Sequence, residues 1–352
     1  MNLNKINNNG KLRIPEAPLM CFLDLTEFCN LQCWFCYKGS KARRGKVDYE
    51  DIVYILNEMH KVGCNEVIYI GGEPTLHPQF FEILDYANNL GMIQGIISNG
   101  QIIDHSFAKK LIKYKDIEVG ISIHSADERV QNAIAGNHKT FFNINRAIES
   151  LEAFGICWYS QTSLIKDNYL KLNEIRNYLL SKGNPIRMDL SRMVAGDIVT
   201  DKFLDETEYI EIFRQINSMD TKELPIRIEA FPRCWIRKVT EIYKLNYEKI
   251  KKTIRPCYAW IAQLSIDIHG NVRLCPTGGK VAGNILKEGM NSIWKNNKSI
   301  REFQKFEWQD NRCLKCHDFV YCVGACKMSS NDHSPSSDKY IIKGEICNAC
   351  IS

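Results

Sequence analysis

Met20-Cys-Phe-Leu-Asp-Leu25-Thr-Glu-Phe-Cys29-Asn-Leu-Gln-Cys33-Trp-Phe-Cys36 reads as a short apolar strand, residues 20–25, that runs straight into a loop carrying three cysteines. The same strand-to-loop pattern repeats along the next 170 residues. Further runs rich in Ile, Val and aromatics lie at 66–70, 94–98, 118–123, 156–163 and 186–191, each short enough for a strand. Amphipathic segments at 48–62, 78–90, 105–114, 140–154 and 169–180 alternate with them, and 204–217 follows the last. Asp48 stands where a helix N-cap is wanted, and Gly63, Gly91, Gly155 and Gly183 each sit just past a helix.

Six β–α units in a row imply parallel strands with right-handed crossovers. The chain is therefore expected to be α/β, with a partial (β/α)6 TIM-like barrel. Barrels of this kind keep their chemistry at the C-terminal ends of the strands. The first strand ends at the cysteine loop, the second at Gly71-Gly72-Glu73-Pro74 and the third at Ser98-Asn99-Gly100. The informative residues thus gather at one end.

Past residue 225 the β–α rhythm fades. Residues 262–275 read as a hairpin with its turn at His269-Gly270-Asn271. The remainder is Cys-rich, short of long apolar runs and expected to depend on metal to fold. The expected division is a disordered cap at 1–17, a partial barrel at 18–230 and a small cysteine-rich domain at 231–352.

The 352 residues are 45% hydrophobic and 25% charged, ordinary for a globular chain, and the net charge of +5 is mild. No apolar run is long enough to cross a bilayer. The opening MNLNKINNNG lacks the apolar core of a signal peptide, so the chain is expected in the cytoplasm. Disulfides are rare there, and 15 cysteines read first as metal ligands. Three fall within 29–36 and eight within 257–350.

Three thiolates in one loop suit a [4Fe–4S] cluster with one iron left open. The bland alternative is half of a zinc site, but zinc favours four ligands, commonly as two CxxC-like pairs. Cys29, Cys33 and Cys36, with Phe35 before the last, match the CxxxCxφC motif. On these residues the chain resembles the radical S-adenosylmethionine (radical SAM) superfamily. The resemblance implies that the open iron chelates SAM, and that reductive cleavage yields a 5′-deoxyadenosyl radical that removes hydrogen from a substrate. It implies that Gly71, Gly72, Glu73 and Pro74 form the cradle for the methionine ammonium. It also implies that Ser98, Asn99 and Ser122 contact SAM and that Phe35 lies near the adenine. Relatives often carry an arginine a dozen residues after the strand-4 serine. Here that region reads Ile134-Ala135-Gly136, and Arg129 is differently spaced.

Cys257-x12-Gly270-x4-Cys275, then Cys313-x2-Cys316-x5-Cys322-x3-Cys326 and a distant Cys347, are similar to the SPASM domain of the same superfamily. The resemblance implies two auxiliary clusters, making three [4Fe–4S] clusters in all. Cys257, Cys275 and Cys326 would hold the nearer one. Cys313, Cys316, Cys322 and Cys347 would hold the outer one. The missing eighth ligand is open between Cys234, Cys350 and a substrate atom. Zinc knuckles are the bland alternative.

Cys21, Cys64 and Cys157 are expected in the core. Cys234 is open among core residue, ligand and hydrogen-atom donor. His77 reads as structural and His124 as a satisfied histidine on the active face. Arg187 and Arg192 could bind an anion or be solvated, and Lys41, Arg43, Arg44 and Lys46 read as a solvated face.

These signals favour an enzyme that modifies a ribosomally made peptide, by crosslink, epimerisation or oxidation. Its electrons would come from a donor such as flavodoxin or ferredoxin. The alternative substrate is a small molecule such as an amino sugar or tetrapyrrole. Sulfatase maturation is disfavoured because Pro276 and Thr277 follow Cys275, where relatives of that type place an aspartate. A nucleic-acid-binding metalloprotein is disfavoured by the modest charge and the lack of a basic–aromatic stripe.

Overall fold

A row of parallel strands with helices between them makes up most of the computed structural model, which describes residues 12–39, 45–193, 203–306 and 311–328. Cys347, Cys350, Lys41, Arg43 and Arg44 lie outside the described residues, as does most of the expected cap. The strands are β1 (Met20–Thr26), β2 (Glu66–Gly71), β3 (Ile93–Ser98), β4 (Glu118–Ser122), β5 (Cys157–Leu164) and β6 (Met188–Arg192). The helices among them are α1 (Tyr49–Lys61), α2 (Phe80–Asn89), α3 (His105–Leu111), α4 (Glu128–Ala135), α5 (Thr140–Ala153) and α6 (Leu172–Lys182). α7 (Glu206–Ser218) follows β6. Each expected element is present within a few residues, and α4 is an eight-residue addition between β4 and α5.

Local chemistry sets the helix ends. Asp104, Asp127 and Asp205 cap α3, α4 and α7 by accepting from amides three residues on. Asp48 precedes α1 but makes no cap bond; its carboxylate pairs with Lys46 at 2.8 Å instead. Past α1, α2 and α5, Gly63, Gly91 and Gly155 all take positive φ, where a Cβ would be strained.

The parallel sheet runs further than six strands. β7 (Ile226–Glu229) pairs with β6, and after α8 (Arg233–Ile242) and α9 (Tyr247–Thr253) the two-residue β8 (Ile254–Arg255) pairs with β7. At the other edge, β9 (Gln263–Ile266) lies parallel to β1. The expected hairpin forms between β9 and β10 (Asn271–Cys275), with Asp267 accepting from the His269 and Asn271 amides in the turn. β11 (Gly278–Asn284) completes one eleven-stranded sheet in the order β11-β10-β9-β1-β2-β3-β4-β5-β6-β7-β8. Strand pairing therefore crosses residue 230.

The two sheet faces differ. Val119, Ile121, Trp158, Met188, Leu190, Ile226 and Ile228 are buried on the helix side; Trp158 Nε1 donates to Glu152 of α5 at 2.6 Å. On the other face the register aligns Ser122, Gln161, Asp189 and Arg227. Tyr159 fills the space over Gly120, where a Cβ would come within 2.6 Å of its ring. Arg187 stacks on Tyr159 at 3.6 Å and pairs with Glu118 and Asp189. Arg192 lies 4.2 Å over Phe231 and donates to the Ala230 carbonyl. Both arginines are buried, which corrects the solvated reading.

Candidate functional site

The cysteine loop begins where β1 ends. Thr26 Oγ1 accepts from the Phe28 amide at 3.0 Å and donates to the Gly45 carbonyl at 3.1 Å, which turns the chain out of the sheet. The loop then docks on the C-terminal end of α4. Gln32 donates to the Ala135 carbonyl and Trp34 to the Ile134 carbonyl, at 3.0 and 3.3 Å. Gly136, left-handed at φ 65°, closes α4 against the Gln32 backbone. The segment Ile134-Ala135-Gly136, which has no arginine, thus serves as the dock for the three-cysteine loop. Lys38, two residues past Cys36, reaches back to Asp24 of β1 at 2.5 Å. Asp24 is 3% exposed, and burial pushes its carboxyl up against the pull of Lys38.

The loop after β2 presses on the same segment. Gly72 donates to the Thr26 carbonyl at 2.6 Å and Glu73 to the Phe28 carbonyl at 2.7 Å. A Cβ on Gly71 would meet Thr26 O at 2.4 Å, and one on Gly72 would meet Phe28 O at 2.3 Å. Both glycines are therefore required for chain-to-chain approach, a reason additional to the approach of a ligand.

Glu73 is 1% exposed. One carboxylate oxygen accepts from the Thr75 amide, Thr75 Oγ1 and Ser98 Oγ; the other accepts from the Asn99 amide at 2.7 Å. Burial pushes this carboxyl up and those four bonds pull it down. Its side chain thus ties the end of β2 to the end of β3. Pro74, buried, opens the single 3-10 turn Pro74–Leu76. Ser98 Oγ also accepts from the Gly100 amide. Asn99 turns its side-chain amide to Cys29 Sγ at 3.7 Å and to Asn30 Oδ1 at 2.7 Å. An N–H aimed at a cysteine sulfur suits a thiolate ligand, since hydrogen bonds to the sulfurs tune such clusters.

Phe35 is buried with Ile134 and Ile165, and its ring meets the His124 ring edge-on at 4.7 Å. His124 Nδ1 accepts from the Ser163 amide, so the neutral ring carries its proton on Nε2. Burial drives its pKa down to about 4. His77 is satisfied on both nitrogens, by the Val47 carbonyl and the Gln79 amide, as its structural reading expects. Ser122 is half-buried at the end of β4, on the face shared with Gln161.

The structure places Cys257 just past β8 and Cys275 at the end of β10. Cys275 Sγ lies 3.2 Å from Thr277 Oγ1. Burial, with Cys257 and Glu229 adding repulsion, pushes its thiol up to about 12. A buried thiol that resists ionisation in the bare protein is suited to a metal centre that supplies the compensating charge. Cys313 and Cys316 share a turn, with the Cys316 amide on the Cys313 carbonyl at 3.1 Å. Burial raises the Cys322 thiol against amides of Arg233, Gly324 and Ala325. Cys326 Sγ accepts from the Met328 amide at 3.4 Å. Cys234 is half-buried in the first turn of α8. Cys21 and Cys64 are buried in the core, whereas Cys157 is exposed at the start of β5 and corrects its core reading.

None of the described cysteines forms a disulfide. Among the described residues, no three His, Cys, Asp or Glu side chains converge on a single metal-ion position.

These features define a radical SAM protein with a C-terminal iron–sulfur domain. The Radical SAM superfamily model matches residues 23–181, and the SPASM model, an iron-sulfur cluster-binding domain, matches 257–317. The chain belongs to this superfamily and is an enzyme. It is 26% identical over 319 residues to the mycofactocin maturase MftC of Mycobacterium tuberculosis, covering 88% of this chain and 78% of the relative. It is 25% identical to the tungsten-containing aldehyde ferredoxin oxidoreductase cofactor-modifying protein of Pyrococcus furiosus, covering 78% and 80%. Among solved structures, Streptococcus suis SuiB bound to precursor peptide SuiA superposes with a TM-score of 0.73 at 18% identity, over 93% of this chain and 76% of that one. The anSMEcpe structure with bound AdoMet gives 0.67 at 19%, over 91% and 93%. These likenesses establish the partial-barrel fold. No helix among the described residues is long and apolar enough to cross a membrane.

Proposed function

We propose that this enzyme cleaves SAM reductively at a cluster held by Cys29, Cys33 and Cys36 and uses the radical to modify a ribosomally made peptide. The observation that carries the reading is the placement of that loop. It lies between the docking end of α4 and the Gly71-Gly72 turn, with the Asn99 amide at Cys29.

When bound, a cluster on these three cysteines would supply the one-electron reduction of SAM, with the electron drawn from an external donor, and so open the way to radical hydrogen abstraction from a substrate. The chain's own residues do the positioning. Asn99 donates toward a ligand sulfur, and the Lys38–Asp24 pair anchors the far end of the loop. With both oxygens already bonded, Glu73 shapes the cradle, and the methionine ammonium falls to the backbone around Gly71 and Gly72. Ser122, at the strand end, is left for the polar part of SAM. Phe35 and His124 form a buried wall beside Cys36 that suits an adenine.

We assign residues 18–230 to this half. Residues 231–352 would hold two auxiliary clusters, on Cys257, Cys275 and Cys326 and on Cys313, Cys316, Cys322 and Cys347. A flavodoxin- or ferredoxin-type donor would supply electrons.

The peptide reading is supported by a relative named as a maturase and a neighbour solved with its precursor peptide. The small-molecule reading is favoured by relatives named as a cofactor-modifying protein and as AdoMet-dependent heme synthases. Mass spectrometry separates them: the reduced, reconstituted enzyme is mixed with SAM and a candidate precursor peptide. A peptide mass change in step with 5′-deoxyadenosine supports the first reading. Turnover of a tetrapyrrole or amino sugar, with peptides inert, replaces it with the second.

A further inference from the structure

The turn between Cys322 and Cys326 has an uncommon backbone. Val323, Gly324 and Ala325 all take positive φ, at 52°, 70° and 58°. That region disfavours any residue with a Cβ, and a β-branched valine most of all. Strain of this kind persists only where the surroundings over-determine it, and it clusters at functional positions. Here the Ala325 amide donates to the Cys322 carbonyl at 2.9 Å and closes the turn.

The carbonyls of the same turn are held by Lys327. Its Nζ donates to the Val323 carbonyl and, at 2.8 Å, to the Ala325 carbonyl. Lys327 is 1% exposed. Lys327 thus sets an ammonium on the turn that joins Cys322 to Cys326. Reduction adds negative charge to a cluster, and nearby positive charge and N–H···S bonds stabilise the reduced form. Cys326, the residue before Lys327, receives its own amide donor from Met328.

We propose that Lys327 is a positioning residue that fixes a positive charge beside the auxiliary cluster ligated by Cys322 and so holds that cluster's reduction potential up. The proposal rests on the reading that the C-terminal cysteines carry iron–sulfur clusters.

The test uses the full chain with Cys29, Cys33 and Cys36 replaced by alanine, so that only auxiliary signals remain. Iron content and an EPR-monitored redox titration are compared for this parent, for Lys327→Gln and for Lys327→Arg. The expected result is equal iron in all three, a midpoint shifted to more negative potential in Lys327→Gln, and the parental midpoint in Lys327→Arg. An unchanged midpoint in Lys327→Gln at full iron overturns the proposal. Iron lost from both variants overturns it in favour of a purely shape-holding lysine. Iron lost from Lys327→Gln alone overturns it too, because the charge would then hold the cluster and not its potential. A parent without auxiliary iron would instead refute the cluster reading on which the proposal stands.

Discussion

His124 shows how a single residue is fixed by its surroundings. It sits at the end of β4, edge-on to Phe35, with Nδ1 occupied by the Ser163 amide. Burial lowers its pKa to about 4, whereas an unfolded histidine titrates near 6.5. Between those values the unfolded chain binds the proton and the native chain does not, so stability falls as pH drops from about 6.5 toward 4. The full effect is roughly 3 kcal/mol. Urea unfolding of His124→Gln is expected to lose this part of the pH dependence while the parent keeps it. Identical pH slopes would show that His124 is not buried neutral. The histidine's location was legible in the chain but not its tautomer or its partners, because Ser163 and Gln131 are brought to it from other elements. Glu73 is a similar case. Its place in Gly71-Gly72-Glu73-Pro74 was legible, yet its four donors come partly from β3, 25 residues away.

At the scale of elements, the strands from β1 to β6 were legible as short apolar stretches, and β2, β3, β5 and β6 each follow a helix that ends in glycine. β7 and β8 were not, being four and two residues long. α4 was missed because eight residues offer barely two turns of periodicity. That helix matters, since its last carbonyls hold the cluster loop. The turns after α1 and after β2 offer a direct contrast between two glycines. Gly63 has open space around it, so Gly63→Ala bears only the left-handed strain, about 1–2 kcal/mol. Gly72→Ala would drive a Cβ into the Phe28 and Glu27 carbonyls, which no side-chain rotation relieves. It is expected to cost about 2 kcal/mol or more and to lower the iron retained on reconstitution. Equal stability and iron in the two variants would mean that the turn is not packed as described.

Across the whole molecule, the sheet is one surface from β11 to β8, and the cysteine sets lie along it at β1, β8 and β10 and in the turns that follow. The hairpin that the sequence marked out at residues 262–275 is the join, because β9 pairs with β1 directly beside the strand that launches the cluster loop. Spacing alone identified the cysteines. It could not tell that Cys275 and Cys257 would come together, since this is a contact between segments far apart in the chain. All of this geometry serves one claim, that the three-cysteine loop binds a cluster that cleaves SAM. The direct measurement is 5′-deoxyadenosine formed by the anaerobically reconstituted protein with SAM and dithionite. The account predicts 5′-deoxyadenosine from the parent and none from Cys36→Ala. Parent levels no higher than those of Cys36→Ala, with a candidate substrate present, would contradict it.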